Sequence, residues 1–194
     1  KADAILVHHG WFWRGENGAV TGIKRQRLKT LLAHDINLYA YHLPLDAHPV
    51  LGNNAGLAKA AGWQQTGVFG EQNLGCIGDV PLGTTVESLA DQLTQVLKRP
   101  PMVLAASGDQ SVRRIAWCTG GAQSYFEAAI AEGADAFVTG EVSEPMVHLA
   151  RETGVAYLAA GHHATERFGV QALGEAIAGH FGITVSYVDI DSPV

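Results

Sequence analysis

Short apolar runs that stop at a glycine or a histidine, with helix-patterned text between them, constrain this chain more than any single residue does. The runs are Ala4–Val7, Ile36–Tyr41, Met102–Ala105, Val112–Trp117, Ala136–Thr139, Val155–Ala159 and a last one, Ile183–Ile190. Helical patterns alternate with them over Ile23–His34, Asn53–Ala61, Thr85–Leu97, Gln123–Glu132, Glu144–Glu152 and Thr165–Phe181, while Thr66–Val80 reads as a Gly-rich hairpin. Such alternation predicts an α/β fold with mixed, largely parallel sheets, whose strand C-termini open along one edge.

One segment is echoed within the chain. Residues Ala134 to Glu141 repeat the pattern of Ala2 to His9, and only the second copy is preceded by a strand, a Gly-Gly turn and a helix, over residues 112–133. The echo predicts two similar units and an upstream strand-and-helix element of at least about 30 and up to roughly 50 residues. The expected organisation is a first lobe over 1–64, a connecting hairpin and helix over 65–111, and a second lobe over 112–194 that closes on the first.

Composition excludes several classes. With 47% hydrophobic residues, 16% charged and 23 glycines in 194 positions, the chain is globular rather than disordered. A net charge of -6 argues against DNA as a partner, although Lys24 to Lys29 is basic enough to attract one phosphate group. Cys76 and Cys118 lie too far apart in sequence for a CxxC metal site, and two cysteines make no disulfide framework, which fits a reducing, cytoplasmic setting. No apolar run approaches the ~20 residues needed to span a bilayer, so no membrane partner is expected.

Histidines gather where the predicted strands end. His8 and His9 follow the first run, His42 with Asp46 the second, and His162 and His163 with Glu166 the strand at 155–159; Glu141 with His148 is a weaker fourth. His42 and Asp46, like His162 and Glu166, are four apart and share a face wherever the backbone turns helically. Imidazole and carboxylate donors without a nearby thiolate suit Zn, Mn, Fe, Co or Ni and do not select among them. Up to six such donors exceed one tetrahedral site and point to two divalent metal ions sharing a carboxylate, with hydrolysis by a metal-bridging water as the reaction class.

Other chemistries fit less well. There is no HExxH helix, and the sixth position after Cys118 holds Ser124 rather than the arginine a Cys-dependent phosphatase needs. Thr119-Gly120-Gly121 reads either as a phosphate-holding turn or as a plain tight one. Trp11, Phe12 and Trp13 suit a stacking platform, a wall or a subunit contact equally.

Taken together, His8-His9-Gly10, His42-Leu43-Pro44-Leu45-Asp46, Asn53-Asn54, Thr139-Gly140-Glu141 and Gly161-His162-His163 with Arg167 resemble the NGG-interacting-factor-like dinuclear metal proteins, also labelled GTP cyclohydrolase I type 2 homologues, and most closely their short bacterial YbgI-type members. The likeness runs over essentially the whole chain. It implies a two-lobed α/β fold, a metal cleft between the lobes and a homohexameric ring. The implied ligands are His8, His9, His42, Asp46, His162 and Glu166, with Asp46 and Glu166 bridging. His163 then stands outside the ligand set and, with Glu141, is the expected carrier of protons. The expected function is a metal-dependent hydrolase of a small phosphate- or nucleotide-bearing substrate; the alternative is a non-catalytic metal-binding regulatory or scaffold ring. The family label does not establish GTP as the substrate.

Overall fold

The computed structural model describes residues 2–194 and contains eight strands and seven helices arranged around two sheets. Strands β1 (Ala4–Val7) and β2 (Asn37–Ala40), joined by helix α1 (Gly22–Ala33), form a parallel pair in which Ala4 faces Asn37 and Val7 faces Ala40. The second sheet contains β3 (Gln64–Phe69), β4 (Gly75–Asp79), β5 (Met102–Leu104), β6 (Arg114–Trp117), β7 (Ala136–Thr139) and β8 (Ala156–Ala159), in the order β3-β4-β6-β7-β8-β5. Only β6-β7 and β7-β8 pair in parallel; β3-β4, β4-β6 and β5-β8 are antiparallel. The sheets of this α/β fold are mixed, as expected, and partly parallel, with the hairpin at 64–79 joining the large one directly.

Both faces of the large sheet are covered, as strands buried on two sides require. Ile115, Trp117, Val138 and Leu158 pack on one face with α3 (Asn53–Ala61) and α4 (Val86–Leu97). Ala116, Phe137 and Tyr157 point the other way, towards α5 (Phe126–Ala131) and α6 (Glu144–Thr153). Helix α4 buries Val86, Leu89, Leu93 and Leu97, a single stripe at helical spacing. Its start is fixed by a capping box in which the Ser88 backbone N–H donates to Thr85 Oγ1 and the Thr85 N–H donates to Ser88 Oγ.

The internal echo reappears as geometry. The Asn37 N–H donates to Asp3 O and the Tyr41 N–H to Val7 O in the small sheet; the Ala156 N–H donates to Asp135 O and the Ala160 N–H to Thr139 O in the large one. The two copies thus flank their parallel pairs with corresponding bonds.

Two expectations change. Helix α1, whose pattern over 23–34 predicts an apolar side turned to a core, buries only Leu31 and leaves Ile23 and Leu32 67% and 76% exposed, because a two-stranded sheet is too narrow to cover an apolar stripe. Residues 183–190 form no strand: β5 closes the sheet beyond β8, and the segment follows α7 (His162–Phe181), with Val185 against Gly174 and Asp189 paired with Arg167. No helix among the described residues is long and apolar enough to cross a membrane.

Candidate metal centre

Three structural positions deliver the centre: the tip of β1, the turn after β2, and the first turn of α7. His8 and His9 follow β1 directly. His42 precedes the short helix α2 (Leu43–Ala47), whose Pro44 sits where a missing N–H costs nothing, and that helical turn carries Asp46. Helix α7 begins at His162, three residues before the expected Thr165, and one turn later presents Glu166. Gly161 makes that entry with φ +101°, and Thr165 uses its hydroxyl to bond Gly161 O and to accept the Gly120 N–H.

These side chains converge. His8 Nε2 lies 3.3 Å from Asp46 Oδ2 and 3.6 Å from Glu166 Oε1. Glu166 Oε2 lies 3.1 Å from His9 Nε2 and 2.8 Å from His162 Nε2. The His42 ring stands 5.3 Å from each of the His8 and His9 rings. Three overlapping groups, His8/His9/His42, His9/His162/Glu166 and His8/Asp46/Glu166, each bring donor atoms within 4.8 Å of one another.

A cation fits this group on its own geometry. His8 Nε2, His162 Nε2 and Glu166 Oε2 are buried atoms that complete no hydrogen bond, a costly state for polar groups without a further partner. Burial lowers the His8 pKa, but Asp46 and Glu166 outweigh it and hold the imidazole at about 9. For His162 the contact with Glu166 leads, joined by Glu141, and overcomes burial to give about 9. Burial pushes the Glu166 carboxyl up, yet His162 and His8 bring it down to about 2. His9 is pulled below 6.5, chiefly by burial and then by the neighbouring imidazoles, against the opposing charge of Glu166. Without metal, protons on His8 and His162 supply the positive charge that the carboxylates demand.

Behind the donors lies a polar support whose role sequence reasoning did not assign, although Asn53-Asn54 stands among the family-like motifs. Asn53, fully buried, donates through Nδ2 to Asp46 Oδ1 at 2.8 Å, accepts the Gly169 N–H at 2.7 Å, and sits 3.4 Å from His8 Nδ1. Asn54 donates to Leu74 O and accepts the Thr119 N–H, tying α3 to the large sheet. The Thr119 hydroxyl reaches Asp46 Oδ1 at 3.4 Å. Asp46 Oδ1 is thereby engaged, leaving Oδ2 to face the centre. The only signal in the sequence was two adjacent amides opening an otherwise apolar helix.

The glycines of the β6–α5 turn serve the carboxylates. A Cβ at Gly120, where φ is +73°, would overlap Glu166 Oε1, and one at Gly121 would lie 3.3 Å from the Glu141 carboxyl carbon. Glu141 Oε1 is 2.6 Å from His162 Nδ1. His163 is not among the converging donors; its Nε2 lies 3.8 Å from Asp189 Oδ1. His148 lies in α6, outside the three groups. Trp13 walls the centre, edge-on to His42 at 5.0 Å and 5.9 Å from His9, while Phe12 turns to Lys24 and Trp11 to Arg27. Burial pushes the Cys118 thiol up, which suits an inert core residue rather than a nucleophile. A cavity of about 320 Å³ opens on His42, Asp46, His162 and Glu166, bounded opposite by Glu71, Gln72 and Tyr125.

Known proteins share this arrangement of chain. The solved structure of protein ybgI superimposes with a TM-score of 0.95 at 49% identity, covering 100% of this chain and 77% of that one. TTHA1606 from Thermus thermophilus gives 0.87 at 33% identity, over 99% and 76%. Proteins named GTP cyclohydrolase 1 type 2 homolog from Yersinia pestis and Neisseria meningitidis serogroup B are 53% and 52% identical, each aligned over 100% of this chain and 77% of the relative. The family model for Duf34/NIF3 (NGG1p interacting factor 3) matches residues 1–193. By that match and these identities, the chain belongs to the Duf34/NIF3 family.

Proposed function

We propose that this protein binds two divalent metal ions and hydrolyses a small phosphate- or nucleotide-bearing molecule in the cavity beside them. The observation that carries the reading is Glu166, whose two oxygens divide between His8 on one side and His9 with His162 on the other. A carboxylate so divided suits a bridge between two ions. His8, His9, His42, Asp46, His162 and Glu166 are the ligands in this reading, with Asp46 contributing through Oδ2. When bound, the ions supply Lewis acidity and lower the pKa of water towards neutrality.

The chain's own residues do the rest. Asn53 and Thr119 orient Asp46, and Trp13 packs edge-on against His42 and beside His9. No lysine or arginine lines the cavity among the described residues, so an anionic substrate group depends on the metals for its counter-charge. Of the two proposed proton carriers, Glu141 reaches the centre through His162, whereas His163 faces Asp189. The names of the relatives suggest a cyclohydrolase, and GTP is one substrate to try. Assembly into a homohexamer, implied by the family likeness, is supported by the exposed aromatic side chains Tyr39 and Tyr41 in and just past β2.

A second reading, a non-catalytic ring stabilised by metal, rests on the ligands coming from both sheets, since ions bound there tie the two together. The test pairs metal analysis with activity. Parent protein is expected to carry metal that Glu166→Ala and His8→Ala lose, and the reconstituted parent is expected to hydrolyse a member of a phosphoester, nucleotide and amide panel. Parent-like metal content in both variants overturns the site. Metal binding without turnover of any panel member overturns the hydrolase and leaves the ring.

A further inference from the structure

Glu141 occupies the position, two residues past β7, that His9 occupies past β1, yet it meets the centre differently. Gly140 brings it there: a Cβ on that residue would lie 2.6 Å from His162 Cα and 2.7 Å from Gly120 O, so the backbone leaving β7 is pressed against the start of α7. Glu141 is then held from three sides. Its carbonyl accepts the buried Tyr157 hydroxyl, its Oε2 accepts Gln123 Nε2 at 3.4 Å, and Gly121 leaves room for its carboxyl group. Oε1 meets His162 Nδ1 at 2.6 Å, on the ring edge away from Glu166. None of His8, His9 and His42 has a carboxylate on its far nitrogen among the described residues.

An imidazole binds a metal through the nitrogen that has no proton, so whichever group accepts the other nitrogen's proton decides which atom is offered. On the reading of His162 as a ligand, we infer that Glu141 is a positioning residue: it keeps the His162 proton on Nδ1, fixes the ring plane, and presents Nε2 to a divalent ion. It also makes the ring a stronger donor. The ion held by His9, His162 and Glu166 is therefore bound more tightly than its ligands alone provide, and a residue that touches no metal sets its affinity.

Zn(II) titration against a chromophoric chelator, on the full chain and on Glu141→Ala and Glu141→Gln, tests this. Glu141→Ala is expected to weaken Zn(II) binding by about 10- to 100-fold. Glu141→Gln keeps a neutral acceptor on the same stem and is expected to fall between, while the metal-free melting temperature moves little because the carboxylate is half-exposed. In Zn(II)-loaded parent protein, nitrogen-15 NMR of the imidazoles is expected to find the His162 proton on Nδ1 in slow exchange with solvent, and to find that exchange accelerated in Glu141→Ala. Parent-like affinity in both variants, or a loaded His162 with its proton on Nε2, overturns the inference and leaves the metal site standing. Parent protein that takes up no Zn(II) refutes the metal site itself, and the inference with it. Should Glu141→Ala fail to fold, Glu141→Gln and the parent spectrum still decide the question.

Discussion

The two sheets make the same kind of strand tip with very different support. Strands β7 and β8 are buried along their whole length, whereas β1 and β2 have no fully buried residue and α1 contributes only Leu31 to the interior. Yet each parallel pair ends in the same flanking bonds and is followed by donors that meet at one point, His8, His9 and His42 after the strands of the small sheet and His162 and Glu166 after β8 of the large. Register and a parallel pairing are enough to aim side chains; a deep core is not required for aim. What the core supplies is resistance to local opening, and the small sheet has little of its own.

Truncating one leucine in each region breaks or sharpens that contrast most directly. Leu93→Ala removes a fully buried side chain of α4 and is expected to cost about 2–5 kcal/mol in urea denaturation. Leu32→Ala on α1, 76% exposed, is expected to change stability by no more than about 0.5 kcal/mol. Equal losses would mean that α1 is covered in solution and that the two regions are not as different as they look.

Metal removal comes next in size. A cation at about 100 times its dissociation constant stabilises the folded state by about 2.7 kcal/mol. Stripping the metal with a chelator should therefore lower the melting temperature and, in amide-exchange measurements, expose β1, β2 and α1 first, with β6, β7 and β8 still protected. The small region leans on α7 through His9 and His8 against Glu166, so the loss should concentrate there. Uniform loss of protection across both sheets would show that the metal stabilises the molecule as one cooperative unit.

The regions also differ in how legible they were from sequence. Ala4–Val7, Asn53–Ala61 and Ala136–Thr139 match the observed elements residue for residue, because glycine, asparagine or histidine marks their ends. The start of α7 was misread because Thr165 resembles an N-cap, while its hydroxyl in fact serves Gly120 from inside the helix. The apolar run at 183–190 has strand composition, but it lies against α7 through Val185 beside Gly174 and Asp189 beside Arg167, a tertiary placement that composition does not report. The donors themselves were visible as histidines at strand ends. Asn53 and Asn54 stand out only as a family-like motif and their role was not legible, since their partners lie as far as 116 residues away and no local pattern encodes a buried amide contact. The same holds for Gly120 and Gly121, whose reason is the bulk of Glu166 and Glu141.

The smallest effect expected is also the one in which the two regions act together. His8 belongs to the small sheet and His162 to α7, and without metal both have folded pKa values near 9, above the ordinary 6.5. A raised pKa contributes stability that is complete below about 6.5 and is lost as pH rises through about 9. Glu166, lowered from 4.5 to about 2, contributes stability present above about 4.5 and lost as pH falls through about 2. These groups therefore stabilise the metal-free protein most between about 4.5 and 6.5 and least on the alkaline side. Metal binding runs the other way, because a ligand imidazole must first give up its proton. His9, already below 6.5, makes no such demand. The gap between Zn(II)-loaded and stripped melting temperatures should accordingly widen as pH rises from 6.5 to 9. A gap that stays constant over that range would mean that the His8 and His162 protons are not what the metal displaces, and that the two sheets are joined through other contacts, such as α2 and α3 against α7.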